Sequence, residues 1–316
     1  MTKGDEKRQR IFEKYVSNRN LLIDNKIIEG DKDIYICPIC MEPHDSIENE
    51  NPLTLEDAPP KSLGGKSNVL TCKKCNNTAG HEIDFHLTER MREIDSAKFT
   101  PNTETKVKIK MDDEILNGTV NVDAEGKISI FYSKKNNHPV KLEEKMTGLK
   151  GGKIIDLNFL KTRVIPEKLE YALLKTAYIL AFQKFGNSII FDDCFNIVRE
   201  QLQNPESRIY PEKFWFTPPY PKEMEGVYFV CDKGIESILV IFNLDTGSTI
   251  RKFGVFLPCP VNDISKVLEK LNEKFGNDST LTLEMYPWEQ DNEKYLEDIE
   301  HIRAMKSWLE KRKNVS

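Results

Sequence analysis

Two C-x-x-C pairs, Cys37/Cys40 and Cys72/Cys75, constrain this chain more than any other feature it carries. Each pair presents two thiolates from one tight turn, and two such turns brought together complete the tetrahedral shell that a structural Zn²⁺ takes. Between the pairs lie 31 residues, room for a hairpin that returns the second turn to the first. A two-stranded hairpin is marginal in water, so metal binding there becomes folding free energy. A redox C-x-x-C stands alone on a βαβ pattern, and neither pair has one around it. An iron–sulfur cluster also accepts four thiolates; the doubled spacing without other cluster signatures favours structural zinc. The remaining cysteines, Cys194, Cys231 and Cys259, are scattered through helix- or strand-like sequence and read as small buried apolar residues.

In a reducing compartment, paired C-x-x-C points to metal rather than disulfide. The opening MTKGDEKRQRIFEKY is charged throughout and has no apolar core, unlike a secretory signal. No run approaches the roughly 18 apolar residues that span a bilayer. A cytoplasmic protein that does not enter the membrane is the expectation. The net charge of −5 does not suit non-specific coating of nucleic acid. Charge is uneven, however: from Lys61 to Lys110 there are ten Lys/Arg against six Asp/Glu. That mild basic excess permits a phosphate-contacting face, and a solvated surface explains it equally.

Periodicity sorts the chain into an N-terminal helical arm (1–33), a zinc module (34–98) and an α+β C-terminal region (99–316). In the arm, Ile11, Phe12, Tyr15 and Val16 recur at helical spacing up to about residue 30, the mark of a helix packed on the rest of the fold. Within the module, Leu53 to Asp57 reads as a strand stopped by Pro59 and Pro60. Gly64 and Gly65 supply a turn, and Val69 to Cys72 returns as a second strand. A helix follows from about Glu82 to Asp95, with Ile83, Leu87, Met91 and Ile94 on one face. Residues 105 to 165 read as an antiparallel meander, with Lys106, Lys108 and Lys110 on its wet face. Pro166 opens a helix that Gly186 ends, and a shorter one runs from about Asp193 to Leu202. Strands near Val227–Cys231, Ser237–Asn243 and Thr249–Leu257, the last two joined by Asp245-Thr246-Gly247, predict another antiparallel sheet. Helices near Ile264–Lys274 and Glu293–Lys311 close the chain.

Between and after the cysteine pairs the residues read L-T-L-E-D-A-P-P-K-S-L-G-G-K and N-V-L-T-C-K-K-C-N-N-T-A-G-H-E-I-D-F-H-L. This resembles the four-cysteine branch of the HNH endonucleases, whose pattern is E-H-x-x-P-x-S-L-G-G-K followed by C-x-x-C-N-x-x-x-G-x-x-I-D. The match spans residues 37–87. A weaker likeness covers 166–205, similar to the segment that follows the nuclease module in such proteins. The resemblance implies a small zinc-stapled ββα-metal fold, and hence an α+β chain in which a larger mixed helix and antiparallel-sheet region follows the module. It also implies hydrolysis of nucleic-acid phosphodiester bonds, with DNA the expected partner and Mg²⁺ or Mn²⁺ the catalytic ion.

Carried over by position, Glu56 is the acid that helps hold the divalent ion, Asn68 the middle asparagine, and Asn76 the post-cysteine residue. Each also has a plain reading: a strand end, a turn residue and a helix N-cap. The family's general-base histidine corresponds to Asp57. A free aspartate titrates about 2.6 pH units below histidine, roughly 3.5 kcal/mol less proton affinity. Asp57 is therefore a weak base, an added metal ligand, or the mark of a module that binds without cutting. Lys61, Lys66, Lys73 and Lys74 surround the knuckle as nucleic-acid contacts. Among the histidines, His44 follows the first knuckle, and His81 stands nearest the post-cysteine position. His81 and His86, five apart, do not share a helix face. A zinc-stabilised interaction module that meets only protein partners is the remaining alternative.

Overall fold

A computed structural model describes residues 2–111, 114–132, 137–140, 143, 147, 156–160, 163–217, 224–277, 282–287 and 294–313. It is an α+β protein whose sheets pair antiparallel. Two compact units emerge: one from Met1–Leu87, Ile165–Leu244 and Arg251–Ser316, the other from Thr88–Val164 and Asp245–Ile250.

The first unit is assembled around a helix buried on nearly every side, α4 (Pro166–Phe185). Proline at its first turn and Gly186 at its end set the bounds the sequence predicts. Gly186 has φ 55° and its N–H donates to Phe182 O at 2.7 Å. A Cβ there would meet Asn18 Oδ1 and Leu296 Cδ2, each at 2.5 Å, so glycine is required.

Helix α1 (Lys3–Asp24) lies in this unit and ends earlier than its periodicity suggests. A capping box starts it: Thr2 Oγ1 accepts from Asp5 N, and Asp5 Oδ2 accepts from Thr2 N. Ile11, Phe12, Tyr15 and Val16 are buried as expected, with Tyr15 stacked on Phe182 at 4.8 Å. Arg8 donates to Leu53 O at 3.1 Å, tying α1 to the strand that follows the first knuckle.

The module itself begins with a two-residue ladder, β1 (Tyr35–Ile36) against β2 (Pro43–His44). Next come β3 (Leu53–Ala58) and β4 (Lys66–Cys72), paired antiparallel. Their turn is a tight one: a Cβ on Gly65 would fall 1.5 Å from Pro59 O, so no side chain fits. Helix then starts at once, as α2 (Lys73–Ala79), a π turn (Gly80–Asp84) and α3 (Phe85–Ala97). The sequence places this start nine residues later. The Cys72 thiol, accepting from Cys75 N, caps the helix and lets it grow straight from the knuckle.

The rest of the first unit holds a sheet in the order β13 (Met285–Pro287), β10 (Gly226–Val230), β11 (Ser237–Asp245), β12 (Ile250–Leu257), β9 (Trp215–Phe216). In the second unit four strands run β7 (Ile128–Tyr132), β6 (Glu114–Val122), β5 (Thr103–Met111), β8 (Asp156–Phe159). Val107, Ile109, Leu116 and Val120 form that sheet's core, while Lys106, Lys108 and Lys110 alternate outward. Among the described residues, no helix is long and apolar enough to cross a membrane.

Candidate metal centre

The four sulfurs of Cys37, Cys40, Cys72 and Cys75 lie within 4.8 Å of one another, close enough to hold one metal ion. Cys40 Sγ and Cys72 Sγ are 3.7 Å apart. Tetrahedral sulfur ligands about 2.3 Å from zinc stand about 3.8 Å from each other, so zinc fits the donor set. Two backbone amides point into the cluster: Cys72 N donates to Cys37 Sγ at 3.4 Å and Cys75 N to Cys72 Sγ at 3.5 Å. Met41, at φ 63°, closes the first knuckle, and its N–H donates to Cys37 O.

The first knuckle is clamped from behind. Its loop carbonyls are buried against helices and each finds a donor: Tyr178 Oη to Pro38 O at 2.6 Å, and Gln203 Nε2 to Ile39 O at 3.0 Å. Tyr35 Oη performs the same service for β4, donating to Leu70 O at 2.7 Å and accepting from Leu70 N at 3.2 Å. The knuckles are thus fixed by the core as well as by their own turns.

Strands β3 and β4 and the helix after them take the strand–strand–helix order around this cluster. Their ladder breaks at one point: Glu56 pairs with Val69 and Asp57 with Ser67, leaving Asn68 as the extra residue of a β-bulge. Asn68 is exposed. Asp57 is half-buried and takes a short hydrogen bond from the Ser67 hydroxyl. Asn76 sits inside α2 rather than at its cap; its amide donates to Thr54 Oγ1 at 2.9 Å and Leu55 O at 2.8 Å, pinning the helix to β3. Lys61, Lys66, Lys73 and Lys74 are all exposed and carry no ion pair among the described residues.

Glu56 turns the other way. Only 2% exposed, its carboxylate meets Lys175 Nζ of α4 at 2.6 Å and the Thr71 hydroxyl at 2.9 Å. Lys175 also reaches Asp84 Oδ2 at 2.6 Å. Burial opposes charge on Lys175, but the two carboxylates outweigh it and its proton affinity rises above the ordinary lysine value. Burial likewise pushes the Asp84 carboxyl up to about 6, against the pull of Lys175 and with the help of Glu56 and Asp57.

Asp84 and Lys175 are the residues that sequence reading missed. Asp84 stands in the matched G-x-x-I-D string, and Lys175 is the one charge between Glu170 and Lys184 in an apolar helix. Both signals were available. The histidines are not gathered here: His81 is exposed, and His44 is buried with Nδ1 2.9 Å from Asn49 Nδ2. His86 Nδ1 accepts from Ile165 N, and burial, then Lys168, lowers its proton affinity. No family model matches the chain, and neither does any curated protein or solved structure.

Proposed function

We propose that the zinc-stapled strand–strand–helix unit is an HNH-type nuclease module that hydrolyses nucleic-acid phosphodiester bonds, DNA above all. The observation that carries this reading is the bulge. It interrupts the ladder between Glu56 and Asp57 on a strand pair clamped to four cysteines, and bulges re-aim side chains next to active sites.

With Glu56 held in the core by Lys175, Asp57 is the carboxylate left to face an Mg²⁺ or Mn²⁺ ion. Bound there, such an ion supplies charge for the phosphate and a nucleophilic water at neutral pH, which suits a site lacking the histidine base. Ser67 takes one oxygen of Asp57, and the other, with no hydrogen-bond partner among the described residues, would hold or orient that water. Asn76 keeps the helix at a fixed distance from β3, and Asn68 projects from the bulge beside Asp57. Lys61, Lys66, Lys73 and Lys74 offer cations to the phosphates on either side.

A second reading draws on the same residues. The Glu56–Lys175 ion pair and the aspartate in the histidine position favour a zinc-stabilised module that binds nucleic acid without cutting it. One assay separates the two: zinc-loaded protein, plasmid and oligonucleotide substrates, and added Mg²⁺ or Mn²⁺. The nuclease reading expects nicking that Asp57→Ala abolishes and Asp57→His raises. Intact substrate with wild type and with Asp57→His, alongside salt-sensitive binding, selects the second reading.

A further inference from the structure

We infer that Lys175 is the module's built-in counter-cation: its ammonium takes, between Glu56 and Asp84, the place that a divalent ion takes between carboxylates. The position is tightly defined. Nζ stands 2.6 Å from Glu56 Oε1 and 2.6 Å from Asp84 Oδ2. The Lys175 side chain is 1% exposed and that of Glu56 is 2% exposed. The second oxygen of Glu56 is filled by the Thr71 hydroxyl, while Asp84 Oδ1 is buried with no hydrogen-bond partner among the described residues. Asp57 lies near enough to act on the Asp84 carboxyl.

Two acids, one from β3 and one from the π turn, therefore converge on one cation carried on α4. A carboxylate at this depth is costly to bury alone, and the lysine offsets that cost for Glu56. It also fixes Glu56 as a positioning residue. The acid that the HNH pattern assigns to the divalent ion instead docks the module onto α4. The inference rests on the nuclease reading only in passing the divalent ion to Asp57; the Lys175 arrangement stands without it.

The test uses the full zinc-loaded chain and Mn²⁺ as the probe, followed by electron paramagnetic resonance and isothermal titration. The background is Asp57→Ala, which removes the open-face carboxylate. Adding Lys175→Ala to it frees two carboxylates at one point. This double variant is expected to bind one equivalent of Mn²⁺ at least about tenfold more tightly than Asp57→Ala alone. Adding Glu56→Gln should remove that gain, and Lys175→Arg in place of Lys175→Ala should never show it.

Where Lys175→Ala fails to fold in Mn²⁺-free buffer, recovery of its far-ultraviolet signal by Mn²⁺ supports the inference, and absence of recovery counts against it. No gain of Mn²⁺ binding by the folded double variant overturns it. So does Mn²⁺ binding to Asp57→Ala that Glu56→Gln eliminates, because Glu56 would then be a metal ligand in the native chain. Neither readout involves cleavage. A protein that gains the Mn²⁺ site but never cuts DNA keeps the lysine's role while losing the nuclease reading.

Discussion

At the scale of single residues, the informative groups are those whose partners lie far away in the chain. Glu56 reads as a strand-end acid, Asp84 as a helix acid and Lys175 as an interruption in an apolar run. Nothing in periodicity links positions 119 and 91 residues apart, and only the fold brings the three together. Asp84 has a measurable consequence. Its carboxyl is raised from 3.8 to about 6, so the folded state holds that proton more tightly than the unfolded chain does. Stability drawn from it is present at low pH and is lost as pH climbs from about 4 through 6. Asp84→Asn cannot ionise and escapes that loss. Relative to wild type, the variant should therefore gain up to about 3 kcal/mol between pH 4 and pH 7. Paired urea unfolding curves read this difference, in which any loss of zinc at low pH cancels. A constant offset between the two proteins would refute the Asp84 assignment.

At the scale of elements, much was legible. The bounds of α4 follow from Pro166 and Gly186, and the hairpin from two alternating strands separated by a Pro-Gly-rich turn. The four cysteines, matched by spacing alone, do converge. The early start of the helix after Cys72 was not legible, because a thiol cap leaves no mark that sets it apart from a zinc ligand. Nor was the bulge, since one extra residue in a short strand does not disturb its alternation enough to be seen. The clamp itself makes a strong forecast. Tyr178 and Gln203 hold the first knuckle from the surrounding helices, so loss of metal should propagate into the first unit. Cys72→Ser, or zinc stripped by a chelator, should shift the unfolding midpoint of that unit down by several degrees or abolish its cooperative transition. Calorimetry with and without added Zn²⁺ checks this; an unchanged transition would mean the cysteines are not a structural clamp.

For the whole molecule, the net charge of −5 and the uneven placement of its cations bear on how the proposed module would meet a polyanion. Repulsion from the bulk of the chain would leave such binding to local groups, and Lys61, Lys66, Lys73 and Lys74, exposed around β3, β4 and α2, are the proposed ones. On the proposed reading, binding to DNA should weaken steeply with salt. Replacing Lys61, Lys66, Lys73 and Lys74 together by alanine should flatten the plot of log K against log salt by up to about 3.6. Fluorescence anisotropy across a salt series measures it, and an unaltered slope would place the phosphate contacts elsewhere.

Asn68 gives the design a last consequence. Excising that single residue would let Ser67 and Val69 follow one another along an unbroken ladder, opposite the same partners they have now. The shortened hairpin would be straighter and more regular, and Asp57 would lose the local twist that aims it. On the proposed nuclease reading, regularity of the sheet and aptness for chemistry pull in opposite directions at this spot, and the chain carries the irregular strand.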